Sequence, residues 1–312
     1  MIRITLLVAL LLTSLTTANA VPQRAVLDFD GDNKTDYAVV RGNGNNFTWY
    51  LLRSNLGFVG TNWGTNGVDT LVPADYDGDL KWDLAVWRPG TPSTFYILQS
   101  QTNTLRSVGF GDPSDEPRIT QDFDGDGKAD PAVTRISGGL MIWYIQRSML
   151  GFTGVQFGNS NDVPIRGDFD GDGKADINVY RGLGGSPANT FFVLRSSNSA
   201  VQSLNFGNFG SDLVMPADFD GDGKTDYTVW RAPTGTWYWI SSGDNVFHGL
   251  NFGTGGDFTT PGDFDGDGKT DQAVWRSGAQ AFFYVNRSML GFTALQWGTT
   301  GDIAVGYTFQ VR

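Results

Sequence analysis

Asp28, Asp30, Asp32 and Asp36 stand at positions 1, 3, 5 and 9 of a nine-residue stretch, Asp-Phe-Asp-Gly-Asp-Asn-Lys-Thr-Asp. The pattern Asp-aromatic-Asp-Gly-Asp-x-Lys-x-Asp opens again at Asp75, Asp122, Asp168, Asp218 and Asp263, at intervals of 45 to 50 residues. Short carboxylates on a tightly curled backbone suit Ca2+, which takes six to eight hard oxygens at about 2.3–2.6 Å in a tolerant geometry. The chemistry predicted is therefore cation binding. The expected ligands are the four aspartates of each copy, with the lysine at position 7 giving its backbone carbonyl while its ammonium stays in water. They are Asp28, Asp30, Asp32, Lys34 and Asp36; Asp75, Asp77, Asp79, Lys81 and Asp83; Asp122, Asp124, Asp126, Lys128 and Asp130. The later copies supply Asp168, Asp170, Asp172, Lys174 and Asp176; Asp218, Asp220, Asp222, Lys224 and Asp226; Asp263, Asp265, Asp267, Lys269 and Asp271. Up to six Ca2+ ions are expected. A lone Asp/Gly-rich loop would read as a solvated turn, but six copies in register do not.

Two copies depart from the pattern. Asn33 replaces the glycine at position 6 of the first, and Asn enters the left-handed region most readily after Gly. Leu80 takes that place in the second, beside Trp82 at position 8. A left-handed leucine costs about 1–2 kcal/mol, so the second site is expected to be the weakest, by about tenfold.

Residues 1–20 read as an export signal: Arg3, an apolar run over 4–15, and the small-residue stretch Ala18-Asn19-Ala20. That run is too short to span a bilayer comfortably, and no later stretch approaches about 20 continuous apolar residues. No cysteine is present, which excludes a disulfide framework. Beyond residue 20 the chain carries 21 basic against 33 acidic side chains, and six Ca2+ would nearly neutralise it. No basic patch accompanies the aromatics, so nucleic acid is not an expected partner. The mature chain is expected to be secreted or periplasmic, not inserted in a membrane, and monomeric.

The elements around the loops repeat with them. After each loop comes a short alternating strand ending in arginine, at 37–41, 84–88, 131–135, 177–181, 227–231 and 272–276, with a central valine. An aromatic pair opens a second strand (Trp49-Tyr50, Phe95-Tyr96, Trp143-Tyr144, Phe191-Phe192, Trp237-Tyr238, Phe283-Tyr284). A third ends in aromatic-Gly, at Trp63, Phe110, Phe157, Phe206, Phe252 and Trp297, and the stretch leading into each loop makes a fourth. Four short β-branched and aromatic strands per unit predict an all-β fold, a β-propeller of four-stranded blades over 21–312. Six loops imply six blades. A seventh leading strand at 301–305 is followed by Phe309 where Phe169 stands in the fourth copy, but Thr308 and Gln310 replace the aspartates. It is expected to close the ring on the first blade or its neighbour; a seven-bladed ring is the alternative.

These motifs resemble the FG-GAP and VCBS repeat family, whose members include the head of integrin α subunits. The resemblance implies a β-propeller with calcium in the blade loops, and adhesion to or binding of an extracellular protein or glycan. Fungal lectins occur among calcium-binding propellers with similar repeats.

Of the 33 acidic residues, 24 are loop ligands and six more follow the aromatic-Gly: Asp69, Asp115, Asp162, Asp212, Asp257 and Asp302. Only Asp112, Glu116 and Asp244 stand outside the repeat, His248 is the single histidine, and no catalytic residue is assigned. The Asp112, Asp115 and Glu116 group reads as a polar turn, with a carboxylate pair of a carbohydrate-active enzyme as the distant alternative. Arg41, Arg88, Arg135, Arg181, Arg231 and Arg276 are expected to form ion pairs or pack on rings; exposed, they would suit anionic glycans. Trp87, Trp230 and Trp275 are either inter-blade packing or, if exposed, platforms for sugars.

Overall fold

The computed structural model describes residues 24–182, 188–208 and 210–309; the expected export segment and Gln310 lie outside them. Alternation sets the strands. In Asn46–Arg53, Phe47, Trp49 and Leu51 are buried while the residues between them are not. The valines at the centre of the post-loop strands, Val39, Val86, Val133, Val179, Val229 and Val274, are likewise buried. Each such side chain removed from water stabilises the fold by about 1.5–3 kcal/mol.

The strands form six antiparallel sheets, the blades of a six-bladed β-propeller. The second blade comprises Thr70–Leu71, Leu84–Arg88, Thr94–Leu98 and Leu105–Gly109. The third has Ala132–Ser137, Leu140–Arg147 and Gly151–Asn159, with a single bridge from Glu116 to Thr134 in place of its inner strand. Blades four, five and six begin with Asp162–Ile165, Asp212–Val214 and Phe258–Thr259, and each continues through three further strands. The residues leading into the acidic loops of all six blades border a central channel of about 1740 Å³. The acidic loop of blades two to six connects the inner strand to the second.

Blade one is made from both ends of the chain. Tyr37–Asn43, Asn46–Arg53 and Gly57–Thr65 are joined by Asp302–Ala304, which pairs antiparallel with the first through Val39 and Ala304, Val40 and Ile303, and Arg41 and Asp302. The closing strand thus takes the inner position of the first blade, and the ring has six members, not seven. Hydrophobic clusters lie between blades: Val39 packs with Phe264, Trp275 and Phe283, and Met215, Phe219 and Trp237 pack with Val274.

Candidate metal centres and the grooves between blades

Each acidic loop is curled by its own first aspartate. One oxygen of Asp28, Asp75, Asp122, Asp168, Asp218 or Asp263 accepts the N–H of position 4 at 2.6 Å, and the other accepts that of position 6 at 2.7–2.9 Å. Residues at position 6 must therefore be left-handed. Asn33 has φ 62° and Leu80 φ 77°, as the sequence pattern required, against 84° for Gly127 and Gly173. The ninth aspartate (Asp36, Asp83, Asp130, Asp176, Asp226 or Asp271) accepts the N–H of position 2 at 2.7–2.9 Å, which folds the loop back on itself.

Carboxylates from positions 1, 3 and 9 converge within 4.8 Å in the second to fifth loops, as Asp75, Asp77 and Asp83; Asp122, Asp124 and Asp130; Asp168, Asp170 and Asp176; and Asp218, Asp220 and Asp226. In the first loop the converging set is Asp28, Asp30 and Asp32. The position-5 aspartates of the second to fifth loops, Asp79, Asp126, Asp172 and Asp222, are not in those sets. Each of the four accepts the N–H of its loop's lysine, as Asp32 does in the first loop. In four loops one oxygen of the position-3 aspartate, Oδ1 of Asp30, Asp124, Asp170 and Asp265, is buried without any hydrogen-bond donor. A buried anionic oxygen with no donor costs several kcal/mol unless a cation meets it. Oxygen-only donors, a charge-rich set and orphaned acceptors together fit Ca2+.

A second hairpin braces each loop, and sequence reading missed it. Ser54, Ser100, Ser148, Ser196, Ser242 and Ser288 donate their N–H to the ninth aspartate at 2.6–2.7 Å. Their hydroxyls donate to the fifth aspartate at 2.5–2.8 Å. The turn that follows gives its N–H groups to the third aspartate, as Met149 and Leu150 do to Asp124, both at 2.9 Å. The available signal was a serine recurring 16 to 20 residues beyond each ninth aspartate.

Neighbouring loops are linked in a closed ring. The N–H of position 8 donates to the carbonyl of the preceding loop's first aspartate at 2.6–2.7 Å, in the order Trp82 to Asp28, Ala129 to Asp75, Ala175 to Asp122, Thr225 to Asp168, Thr270 to Asp218 and Thr35 to Asp263. The lysine beside it lays its stem over the preceding loop's glycine. A Cβ on Gly31 would lie 3.2 Å from Lys81, and one on Gly171 would lie 2.7 Å from Lys224. Position 4 thus needs glycine twice over, for φ near 80° and for this contact.

Burial raises the carboxyl groups of the loops, against the pull of their backbone N–H donors and helped by the neighbouring carboxylates. Asp36, Asp83, Asp130, Asp226 and Asp271 are pushed up to about 7, and Asp168, Asp176 and Asp218 to about 6. Asp28, Asp75, Asp122 and Asp263 are raised for the same reasons. Carboxylates drawn out of water toward one another hold their protons more tightly.

The repeated arginines are ion-paired and stacked at once. Arg41, Arg88, Arg135, Arg181, Arg231 and Arg276 hold Asp302, Asp69, Asp115, Asp162, Asp212 and Asp257 at 2.6–2.8 Å. The aspartate side chains are at most 1% exposed, and each guanidinium lies 4.6–5.0 Å from the ring of Tyr50, Tyr96, Tyr144, Phe192, Tyr238 or Tyr284. The tryptophans are not sugar platforms. Trp87, Trp230 and Trp275 are 1–2% exposed, and their indole N–H groups donate to the carbonyls of Phe110, Phe252 and Trp297. The three acids near the third blade are also paired, Asp112 and Asp115 with Arg135 and Glu116 with Arg118. His248 stacks on Trp239 at 4.9 Å.

Exposed aromatics sit elsewhere, at the first or second residue of the outer strands. Phe58, Phe152, Phe247 and Phe292 are 59–63% exposed. Each lies parallel to the tyrosine of its own blade, Tyr50, Tyr144, Tyr238 or Tyr284, at 6.0–6.5 Å. Each also meets the aromatic-Gly ring of the preceding blade edge-on, Trp297, Phe110, Phe206 or Phe252, at 5.6–6.3 Å. Leu105 and Val201 hold the equivalent places in blades two and four, 58% and 61% exposed. Between blades two and three these walls enclose a groove of about 220 Å³ bordered by Phe110, Arg135, Tyr144 and Phe152. Leu-Gly-Phe, at Leu56, Leu150 and Leu290, was the unread sequence mark.

Among the described residues no helix is long and apolar enough to cross a membrane. No family model and no curated protein matches the sequence. Solved structures do match in shape. AofleA from Arthrobotrys oligospora superimposes with a TM-score of 0.52 over 91% of this chain and 89% of its own, at 9% identity. A candidate 6-phosphogluconolactonase from Bacteroides uniformis gives 0.44 at 15% identity, over 84% of this chain and 82% of that one. The β-propeller domain of the Trilobed protease from Pyrococcus furiosus gives 0.37 at 11%, over 83% and 71%. The first likeness speaks for the propeller fold, and for the fold alone.

Proposed function

We propose that this chain is a secreted, calcium-stabilised β-propeller that serves as a non-catalytic binding module of the FG-GAP/VCBS type. The observation that carries the calcium assignment is the buried, donorless oxygen of Asp30, Asp124, Asp170 and Asp265. When bound, Ca2+ supplies the positive charge that such an oxygen and its neighbouring carboxylates lack. The loop residues hold that place open: backbone N–H groups fix both oxygens of the aspartate at position 1, and the serine of the next hairpin fixes those at positions 5 and 9. A non-catalytic role is supported by the pairing of the acids that break the repeat, since Asp112 and Glu116 are held by arginines and Asp244 accepts the N–H of Val246. Titration calorimetry on the chelator-treated chain tests the metal. Several Ca2+ per chain are expected, with a melting temperature that rises on loading; fewer than about three bound ions at millimolar calcium would refute the reading.

The aromatic grooves favour a glycan as ligand over a flat protein surface. Sugar rings stack their C–H faces on aromatic walls and hydrogen-bond to a guanidinium, and a groove of about 220 Å³ accommodates a single sugar residue. A glycan array at fixed calcium should show discrete sugar preferences, lost when Phe58, Phe152, Phe247 and Phe292 are replaced together by alanine. A silent array with retained capture of an extracellular protein would favour adhesion instead.

A further inference from the structure

Departures from six-fold symmetry concentrate on one wall of the central channel. Two residues before each loop, the blades carry Val26, Pro73, Thr120, Pro216 and Pro261, but blade four carries Arg166. One residue before the loop, only blade three has a polar side chain, Gln121. At position 8, only blade two has an aromatic, Trp82, where the others have Thr35, Ala129, Ala175, Thr225 and Thr270. These three come from consecutive blades and all border the channel. Structural roles that repeat call for residues that repeat; three unlike residues facing one space call for a different account.

Arg166 and Gln121 both offer donors that no acceptor among the described residues takes up. Among the described residues Arg166 makes no ion pair and no side-chain hydrogen bond; its guanidinium rests over Phe309 at 4.5 Å and Trp82 at 5.8 Å. The Nε2 of Gln121 is buried with no acceptor. Acids do border the channel, but Asp122 and Asp168 are occupied by the N–H groups of their own loops. Two unfilled donors, one of them charged, beside two aromatic rings ask for an oxyanion with a compact organic body. A guanidinium presents a fork of N–H donors that suits carboxylate and phosphate alike.

We propose that the channel wall formed by Trp82, Gln121, Arg166 and Phe309 is a binding site for a small organic oxyanion, a carboxylate or phosphate monoester. Arg166 takes the charged group, Gln121 donates an N–H to it, and the rings cover the ligand's body. The site is separate from the inter-blade grooves, occurs once per molecule, and does not rest on the calcium assignment.

Calorimetric titration of the full chain with D-glucuronate and, in a separate arm, glucose 6-phosphate tests this, with D-glucose as the neutral control. Saturable one-to-one binding of at least one anion and none of glucose is expected. Hydrogen bonds to a charged group are worth enough that Arg166→Gln should weaken binding by about tenfold or more, and Gln121→Leu by about threefold. The stronger arm identifies the charged group as carboxylate or phosphate. Affinity in Arg166→Gln within about twofold of the parent, equal binding of glucose, or no binding of either anion at about 10 mM would overturn the proposal. Should Arg166→Gln fail to fold, the contrast between anion and glucose in the parent chain and the Gln121→Leu variant decide it. Array binding through the rim phenylalanines should persist in Arg166→Gln, so loss of one site is distinguishable from loss of the other.

Discussion

Leu80 carries the largest left-handed strain for a branched side chain in the acidic loops, at φ 77°. The conformation is imposed because its N–H must reach Asp75 at 2.9 Å, as Gly127 reaches Asp122 at 2.8 Å in the next blade. Leu80 is 49% exposed, so packing returns little of the cost. Leu80→Gly relieves about 1–2 kcal/mol of strain and adds part of that back as unfolded-state entropy. A net gain of about 0.5–1 kcal/mol is expected, read as a rise of about 2 °C in melting temperature. Gly127→Leu should shift the same measurement the other way by a similar amount or more. A fall on Leu80→Gly would mean that the leucine contacts something worth more than its strain.

Among the elements, the hairpin between third and outer strands matters as much to each candidate metal centre as the loop that carries the aspartates. Two carboxylates of every loop are held by one serine, so the hairpin cannot move without releasing them. Ser148→Ala removes a hydroxyl donor from Asp126 and is expected to weaken the third centre without unfolding the blade, at a cost of about 1 kcal/mol. A chain with Ser148→Ala whose calcium stoichiometry and affinities match the parent would remove the serine from that role. Ring closure belongs to the same scale. The Asp302 side chain is fully buried, held by Arg41 and by the N–H of Thr299, and it ties the last strand to the first across 261 residues. Asp302→Ala breaks that clasp and should cost about 2–4 kcal/mol, with amide exchange fastest at Val39, Val40 and Arg41. Uniform exchange across all blades in that variant would show that closure is carried by packing.

For the molecule as a whole, the six loops form one electrostatic unit. Without metal, eight of their carboxyl groups are raised to about 6 or 7 by burial, above the ordinary carboxylate value. A raised acid binds protons more tightly in the folded chain than in the unfolded one. Its penalty is absent below the unfolded pKa of about 4, grows as pH rises, and is complete above the folded pKa. Chelator-treated protein is therefore expected to melt at a higher temperature at pH 5 than at pH 8. Calcium should reverse the order, because the ion replaces the protons and binds better as they leave. Identical pH profiles with and without calcium would contradict a shared site for proton and metal.

Much of this architecture is legible in the chain. A nine-residue spacing of aspartates determines loop curvature, because each N–H that the first aspartate accepts lies within five residues of it. Six copies with four strands each imply six blades, and the fifteen residues after Trp297 carry the strand that closes them. Even the strain at Leu80 follows from its place in the loop. The tertiary structure decided what alternation leaves open, since a period of two assigns side chains to opposite faces without saying which face is covered. It turned Trp87, Trp230 and Trp275 inward and left Phe58, Phe152, Phe247 and Phe292 outside; it gave the six arginines buried partners. It also brought the serines to the aspartates and Trp82, Gln121 and Arg166 to one wall. Those contacts join residues from different strands or blades, and their distance in the chain carries no trace of their distance in space.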